Sequence, residues 1–359
     1  MDDAARLRSE FPVLERLAYL NAGTCGPLPR AAVDAQAAVL RDEAGEGRWT
    51  PYFERLSASR ERQRAAYAAL LGARVEDVAL TTATSEGIVR VLAGLELRRG
   101  DEIITSDQEH PGLLGPLGAA RQQLGVEVRA VPLERVADAV GMRTRLVACS
   151  HVGWVGGELA PAQLAGLDVP VLLDGAQGAG AVAFSVAELG CDFYAAAGQK
   201  WLCGPVGTGL LWVAPAWSDR LTAAGPTYVN LAEPAAGLDS PPHADARRHD
   251  TPALSLQASA GAVAACATLE AAGWAAVHER AALQAEALAA ALADRGLEVA
   301  PRGRTTLVAW ADPDPPATRE RLAASGIVIR NLPGTPWLRA SVGAWNDDAD
   351  RERLLAALG

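Results

Sequence analysis

The chain has 359 residues, of which 50% are hydrophobic and 21% charged, and a formal net charge of −10. That length admits two domains or one large domain with an appendage, and an acidic balance without any Lys- or Arg-rich run argues against nucleic-acid binding. The charged start MDDAARLRSEFPVLERLAYL holds no signal-peptide core and no apolar run reaches membrane-spanning length. The five cysteines (Cys25, Cys149, Cys191, Cys203, Cys266) show neither CxxC nor Cys/His spacing, so a cytoplasmic protein without membrane, nucleic-acid or metal partners is expected.

Strand-like runs alternate with helical patterns over residues 66–215. VEDVALTT predicts a strand and SEGIVRVLAGL a helix; DEIITSD, GLLGPLGAARQQLG and VEVRAVPL predict strand, helix and strand. TRLVACSHV and VPVLLDGAQ predict further strands, followed by AELGCDFYAAAG and GTGLLWV. Short continuous apolar strands between helices imply a mostly parallel sheet covered on both faces, with ligands beyond the carboxyl ends of its strands. Residues 226–252, rich in Pro, His and Asp, read as a connecting loop. One long Ala-rich helix is expected over 256–296, leading into a smaller unit with strands TTLVAWA, IVIRNL and LRASVGA and helices ATRERLAASG and DDADRERLLAALG.

The predicted strand ends carry the candidate site. Thr84 and Ser85 open a helix with Gly87 in its first turn, a place for a phosphate or merely a helix cap. His110 follows the next strand within DQEHPG and could equally be structural. Asp174 closes the apolar strand VLLD, where a carboxylate is costly unless it meets a cation; Gln177 lies three residues on. Lys200 then appears in AAAGQKWLCGP. It is the only lysine in the chain. Its ammonium could simply reach water, or its amine could be desolvated for covalent chemistry. Pyridoxal phosphate needs all these groups together: an amine to attach to, a carboxylate for its ring nitrogen, a phosphate cradle and a ring to stack on its face.

LLDGAQGAG, GQKWLCGPVGTGLL and EHPG resemble the class V aminotransferase superfamily of fold-type I enzymes, which includes cysteine desulfurases, cystine and cysteine C–S lyases and isopenicillin N epimerase-like proteins. The likeness runs from YLNAGTCGPLP to LRASVGAWNDD. It implies an α/β fold: a large domain (16–250) with a mostly parallel seven-stranded sheet between helices, a smaller α+β domain (251–359), and an N-terminal segment (1–15) packed on the small domain. It implies that Lys200 carries the cofactor, Asp174 pairs with the ring nitrogen, Gln177 meets the phenolic oxygen and His110 stacks on the ring. Thr84 and Ser85 would bind the phosphate, and Thr251, in RRHDTP, would reach the phosphate of the neighbouring protomer in a homodimer with shared active sites. Arg339 would clamp the substrate α-carboxylate, with Arg330 and Asn21 also at the substrate.

The chain departs from the desulfurase pattern in three places. It has AGQK where desulfurases carry SGHK, Trp154 at or near a family Asn, and no cysteine between Arg330 and Arg339, where desulfurases place their persulfide-forming nucleophile. The expected reaction is therefore β-elimination at a C–S bond of an α-amino acid. Aminotransfer and epimerisation share its carbanion, and a non-catalytic paralogue is the alternative of another class, against which intact Lys200, Asp174 and Arg339 count.

Overall fold

The computed structural model describes residues 3–359. Helix α1 (Asp3–Ser9) and the short strand β1 (Ala18–Tyr19) precede two long helices, α2 (Arg30–Glu46) and α3 (Thr50–Leu71). The central sheet follows: β2 (Val78–Thr81), α4 (Thr84–Gly94), β3 (Glu102–Ser106), α5 (Pro111–Leu124), β4 (Glu127–Val131), β5 (Thr144–Ser150), β6 (Val171–Asp174), β7 (Phe193–Ala197) and β8 (Gly209–Val213). Its seven strands lie in the order β2-β8-β7-β6-β5-β3-β4, parallel throughout except for β8, which runs antiparallel to both β2 and β7.

The apolar runs form strands because both faces of the sheet are covered. Leu172 and Leu173, neighbours on β6, point into opposite cores and are both fully buried. Each such side chain contributes about 1.5–3 kcal/mol by leaving water. The sheet thus offers a rigid rim at its carboxyl edge, where Asp174 ends β6.

The long helix expected over 256–296 is two helices, α6 (Leu256–Ala271) and α7 (Trp274–Asp294), bent by 80°. The break falls at Gly273, whose φ of 81° lies in the left-handed region that ends helices. Among the described residues no single helix is long and apolar enough to cross a membrane; the bent α6–α7 pair meets that test only when its two helices are joined.

The C-terminal unit comprises β9 (Leu307–Ala311), α8 (Pro315–Ala324), β10 (Ile327–Val328), β11 (Arg330–Asn331), β12 (Trp337–Ser341) and α9 (Asp348–Leu358). The strands β11, β12 and β9 form an antiparallel sheet. Contacts run across both expected domain boundaries. Strand β1 pairs in parallel with β10, so residues 18–19 run with the C-terminal unit. Helix α6 packs on α2 and α3 of the large unit. The N-terminal segment is tied to α9 through Arg8, which donates to Asp350 at 2.7 Å, and to the turn before it through Phe11 against Trp345.

Candidate active site

Four loops converge beyond the carboxyl edge of the sheet. The turn after β6 begins at Asp174, which is only 5% exposed. One carboxylate oxygen accepts the Ala176 N–H at 2.9 Å, which fixes its orientation. Burial raises its pKa, opposed first by Lys200 and then by that N–H. Gln177 is bound at both ends, its Nε2 donating to the Gly23 carbonyl at 2.9 Å and its Oε1 accepting Trp201 Nε1 at 3.0 Å. One of its amide hydrogens remains for a ligand.

The turn after β7 holds Lys200. Gly198 N–H bonds back to Thr208 at 2.8 Å, Cys203 N–H to the Lys200 carbonyl at 3.1 Å, and Cys203 itself adopts φ 54°. The N-terminal loop crosses this turn, where Gly26 donates to the Gln199 carbonyl at 2.7 Å. Burial lowers the Lys200 pKa to about 8; Asp174 pulls it back up, while Arg339 and Arg330 push it further down. An amine so placed is a nucleophile and a base near neutrality.

His110 caps α5, its Nδ1 accepting the Gly112 N–H at 2.9 Å, so a neutral ring carries its proton on Nε2. Burial, then Lys200, Arg330 and Arg339, lower its pKa to about 4. Trp154 meets the His110 ring edge-on at 5.1 Å. The main-chain oxygen of Trp154 accepts a hydrogen bond from Arg339 Nη1. Sequence reasoning assigned Trp154 no role, since a backbone carbonyl bonded across 185 positions leaves no mark on residue type.

Arg339 is fully buried on β12, and its Nε and Nη2 have no hydrogen-bond partner. Arg330 is half-buried, donates to the Thr24 hydroxyl at 3.4 Å and lies over the Trp154 ring, 6.0 Å from its centre. Asn21 pairs with Ser341 in a short bridge and accepts the Thr24 hydroxyl at 2.8 Å, which places it on the N-terminal wall near Arg330.

At the start of α4 the N-cap is Ala83, with no side-chain cap, and Thr84 Oγ1 is buried without a partner. Ser85 commits its hydroxyl proton to the Gly112 carbonyl at 2.9 Å, leaving its main-chain N–H for an anion. Gln199 Oε1 is likewise buried and unpartnered. Thr251 stands apart from this group. It is 3% exposed and its N–H bonds to Leu80 on the edge strand β2 at 2.7 Å. Beside it, Asp250 accepts two bonds from the buried Arg64, at 3.0 and 2.8 Å.

Unpartnered donors at a helix start, a buried carboxylate, an amine of lowered pKa and an uncommitted guanidinium fit the phosphate, ring nitrogen, aldehyde and amino-acid carboxylate of a pyridoxal phosphate reaction. Fold and site together define a pyridoxal-phosphate-dependent enzyme of fold type I. Residues 18–335 match the family described as Aminotransferase class-V, and the chain belongs to that family.

The chain is 30% identical over 361 residues to isopenicillin N epimerase of Streptomyces clavuligerus, covering 94% of this chain and 86% of that protein. To cysteine desulfurase of Salmonella newport it is 34% identical over 238 residues, 59% and 58% of the two chains. A cystine C–S lyase in complex with its product cysteine persulfide superimposes with a TM-score of 0.92 at 25% identity, over 97% and 98% of the chains. The cysteine desulfurase CsdA of Escherichia coli gives 0.85 at 26% identity, over 100% and 98%. Pyridoxal phosphate is the cofactor of this enzyme.

Proposed function

We propose that this enzyme cleaves the C–S bond of an S-substituted cysteine by β-elimination, giving a thiol, pyruvate and ammonia with uptake of one water. The observation that carries the reading is the β11–β12 connection. It runs Leu332, Pro333, Gly334, Thr335, Pro336, closed by the Leu332 N–H on the Trp337 carbonyl at 2.9 Å, and it contains no thiol. Cys149, Cys191, Cys203 and Cys266 are buried with pKa values raised by that burial. A persulfide nucleophile must reach the substrate sulfur as a thiolate, which these four packed thiols are not placed to do. Cys25, half-buried in the N-terminal loop and acting on Lys200, is the exception, and loss of turnover in Cys25→Ser with cofactor still bound would overturn the elimination reading. The likeness to a cystine C–S lyase supports the same reading.

When bound, pyridoxal phosphate withdraws electrons from the substrate Cα and so acidifies its hydrogen. Asp174, oriented by the Ala176 N–H and acted on by Lys200, would hold a proton on the ring nitrogen. Thr84 Oγ1, Gln199 and the free N–H groups of α4 would hold the phosphate, and Gln177 the phenolic oxygen. Neutral His110, fixed by Gly112 and Trp154, would pack against the ring. Arg339 would bind the α-carboxylate through Nε and Nη2. Lys200 would take the Cα proton as the thiolate departs from Cβ, and could return that proton to sulfur.

We further infer a cytoplasmic homodimer. The exposed Val33 and Leu40 on α2, Trp49 just before α3 and Phe53 on α3 give a second copy an apolar surface to cover, and Thr251 would serve across that interface. Epimerisation is the second reading, favoured by the match to isopenicillin N epimerase over 94% of the chain. Holoenzyme incubated with a panel of S-substituted cysteines should release pyruvate and ammonia in equal amounts. An inverted stereocentre without pyruvate, or a keto acid formed with the amine form of the cofactor, overturns the elimination reading.

A further inference from the structure

In the loop between β3 and α5, Asp107 and Gln108 are exposed, whereas Glu109 is only 4% exposed. A buried carboxylate is costly unless donors meet it. The Ser106 hydroxyl and the Ser150 N–H donate to its Oε1 at 2.6 and 2.8 Å, and the Ser150 hydroxyl donates to its Oε2. These contacts bridge an opening in the sheet. The β3–β5 register ends at Ile104 opposite Val147, although the strands run on to Ser106 and Ser150. Their connections leave in opposite directions, β3 toward β4 and β5 toward β6, and the crevice at such a switch point is where these sheets hold ligands.

The bridge connects two residues of the candidate site. His110 is the next residue after Glu109. Ser150 lies opposite Asp174 in the β5–β6 register, and the N–H that follows it, of His151, bonds to the Asp174 carbonyl at 2.9 Å. Lys200 acts on both His110 and Asp174, so those two side chains border one space. Asp174 also acts on Glu109 itself. The chief influences on Lys200 are burial, Asp174, Arg339, Arg330 and Cys25, and Glu109 is not among them. With both oxygens engaged, Glu109 serves this site by its reach across the opening.

Resting on the reading that His110 packs against the cofactor ring, we propose that Glu109 is a positioning residue. By tying the β3 loop to the end of β5 it sets the spacing between the His110 imidazole and the Asp174 carboxylate, and so the slot available to a flat ring. Reach and charge can be separated by substitution. Glutamine keeps the reach: its Oε1 can accept from the Ser106 hydroxyl and the Ser150 N–H, and its Nε2 can donate to the Ser150 hydroxyl. Aspartate keeps the charge and is one methylene too short to hold both strand ends.

The test uses holoenzyme carrying Glu109→Gln, Glu109→Asp, Glu109→Ala, His110→Ala, or the last two together. Circular dichroism of the cofactor's visible band reports how the ring is held, and equilibrium titration gives the cofactor dissociation constant. Glu109→Asp and Glu109→Ala should diminish the band's ellipticity and weaken binding about tenfold or more, the scale of a small misplacement in a site. Glu109→Gln should retain most of both. In the double variant Glu109→Ala should add no loss to that of His110→Ala, because Glu109 acts through the ring it places. The pH at which the apoenzyme captures cofactor at half its maximal rate should be the same in Glu109→Gln as in the parent. Additive losses in the double variant, or parental behaviour of Glu109→Asp, overturn the proposal and leave Glu109 a tie between strands. A shifted capture midpoint in Glu109→Gln overturns it too, by showing that the charge acts. Should Glu109→Ala fail to fold, the contrast between Gln and Asp decides alone. An unaltered band in His110→Ala refutes the packing of His110 on the ring and the proposal with it. An altered band there, with none in Glu109→Asp, refutes the Glu109 assignment by itself.

Discussion

With a pKa of about 8, the Lys200 amine is neutral in about a tenth of molecules at pH 7, against fewer than about one in a thousand for an ordinary lysine. Only the neutral amine captures an aldehyde. Capture of pyridoxal phosphate by the apoenzyme should therefore quicken with pH and level off above a midpoint near 8. Asp174 raises the Lys200 pKa, so Asp174→Asn should move this midpoint down, as followed by stopped-flow absorbance. An unchanged midpoint would show that the carboxylate does not face the amine. Lys200 and Asp174 stood out in the sequence as charges within apolar runs, which alone left structural readings open; the structure brings the two to act on one another. The free arms of Arg339 were not legible there, because they follow from which acids fail to arrive beside it.

The elements that hold these residues work through close backbone approach. A Cβ added at Gly26 would lie 2.1 Å from the Lys200 carbonyl oxygen. Gly26→Ala must push the N-terminal loop off the lysine turn, and cofactor affinity should fall about tenfold or more while the fold persists. Gly45 on α2 has nothing within 4 Å of the added methyl, so Gly45→Ala should stabilise by about 0.5–1 kcal/mol and leave cofactor binding alone. Equilibrium titration with pyridoxal phosphate and urea melts separate the two outcomes. Glycine requirements of this kind are invisible in sequence, where Gly26 and Gly45 look alike. The strands of the central sheet were legible from their continuous apolar runs. The α6–α7 break was not, because the alanine pattern continues through AAGWAA, and α2 and α3 carry too many charges to announce a buried face.

Across the whole molecule, four of the five histidines (His110, His151, His249 and His278) have pKa values lowered to about 4, with burial the first cause in each. A histidine whose folded value lies below its unfolded one takes its proton only on unfolding. Stability is then fully present above about 6.5, falls as pH drops toward 4, and levels off below. Urea midpoints of the apoenzyme should decline steeply over that window, with up to four protons taken up per unfolding event. His249 is buried with both ring nitrogens unpartnered, so His249→Gln should remove one proton from that slope. A flat profile between 6.5 and 4 would contradict the burial of these rings.

A single lysine also decides how the protein meets other enzymes and reagents. All other fixed positive side-chain charge is guanidinium, so modifiers that join proteins through a side-chain amine find only Lys200. That amine is recessed in the turn after β7 and, as the proposed point of attachment, would be masked whenever the cofactor is bound to it. Loaded enzyme should thereby resist lysine-directed tagging and acylation, and an empty molecule that accepts such a mark should no longer take up cofactor.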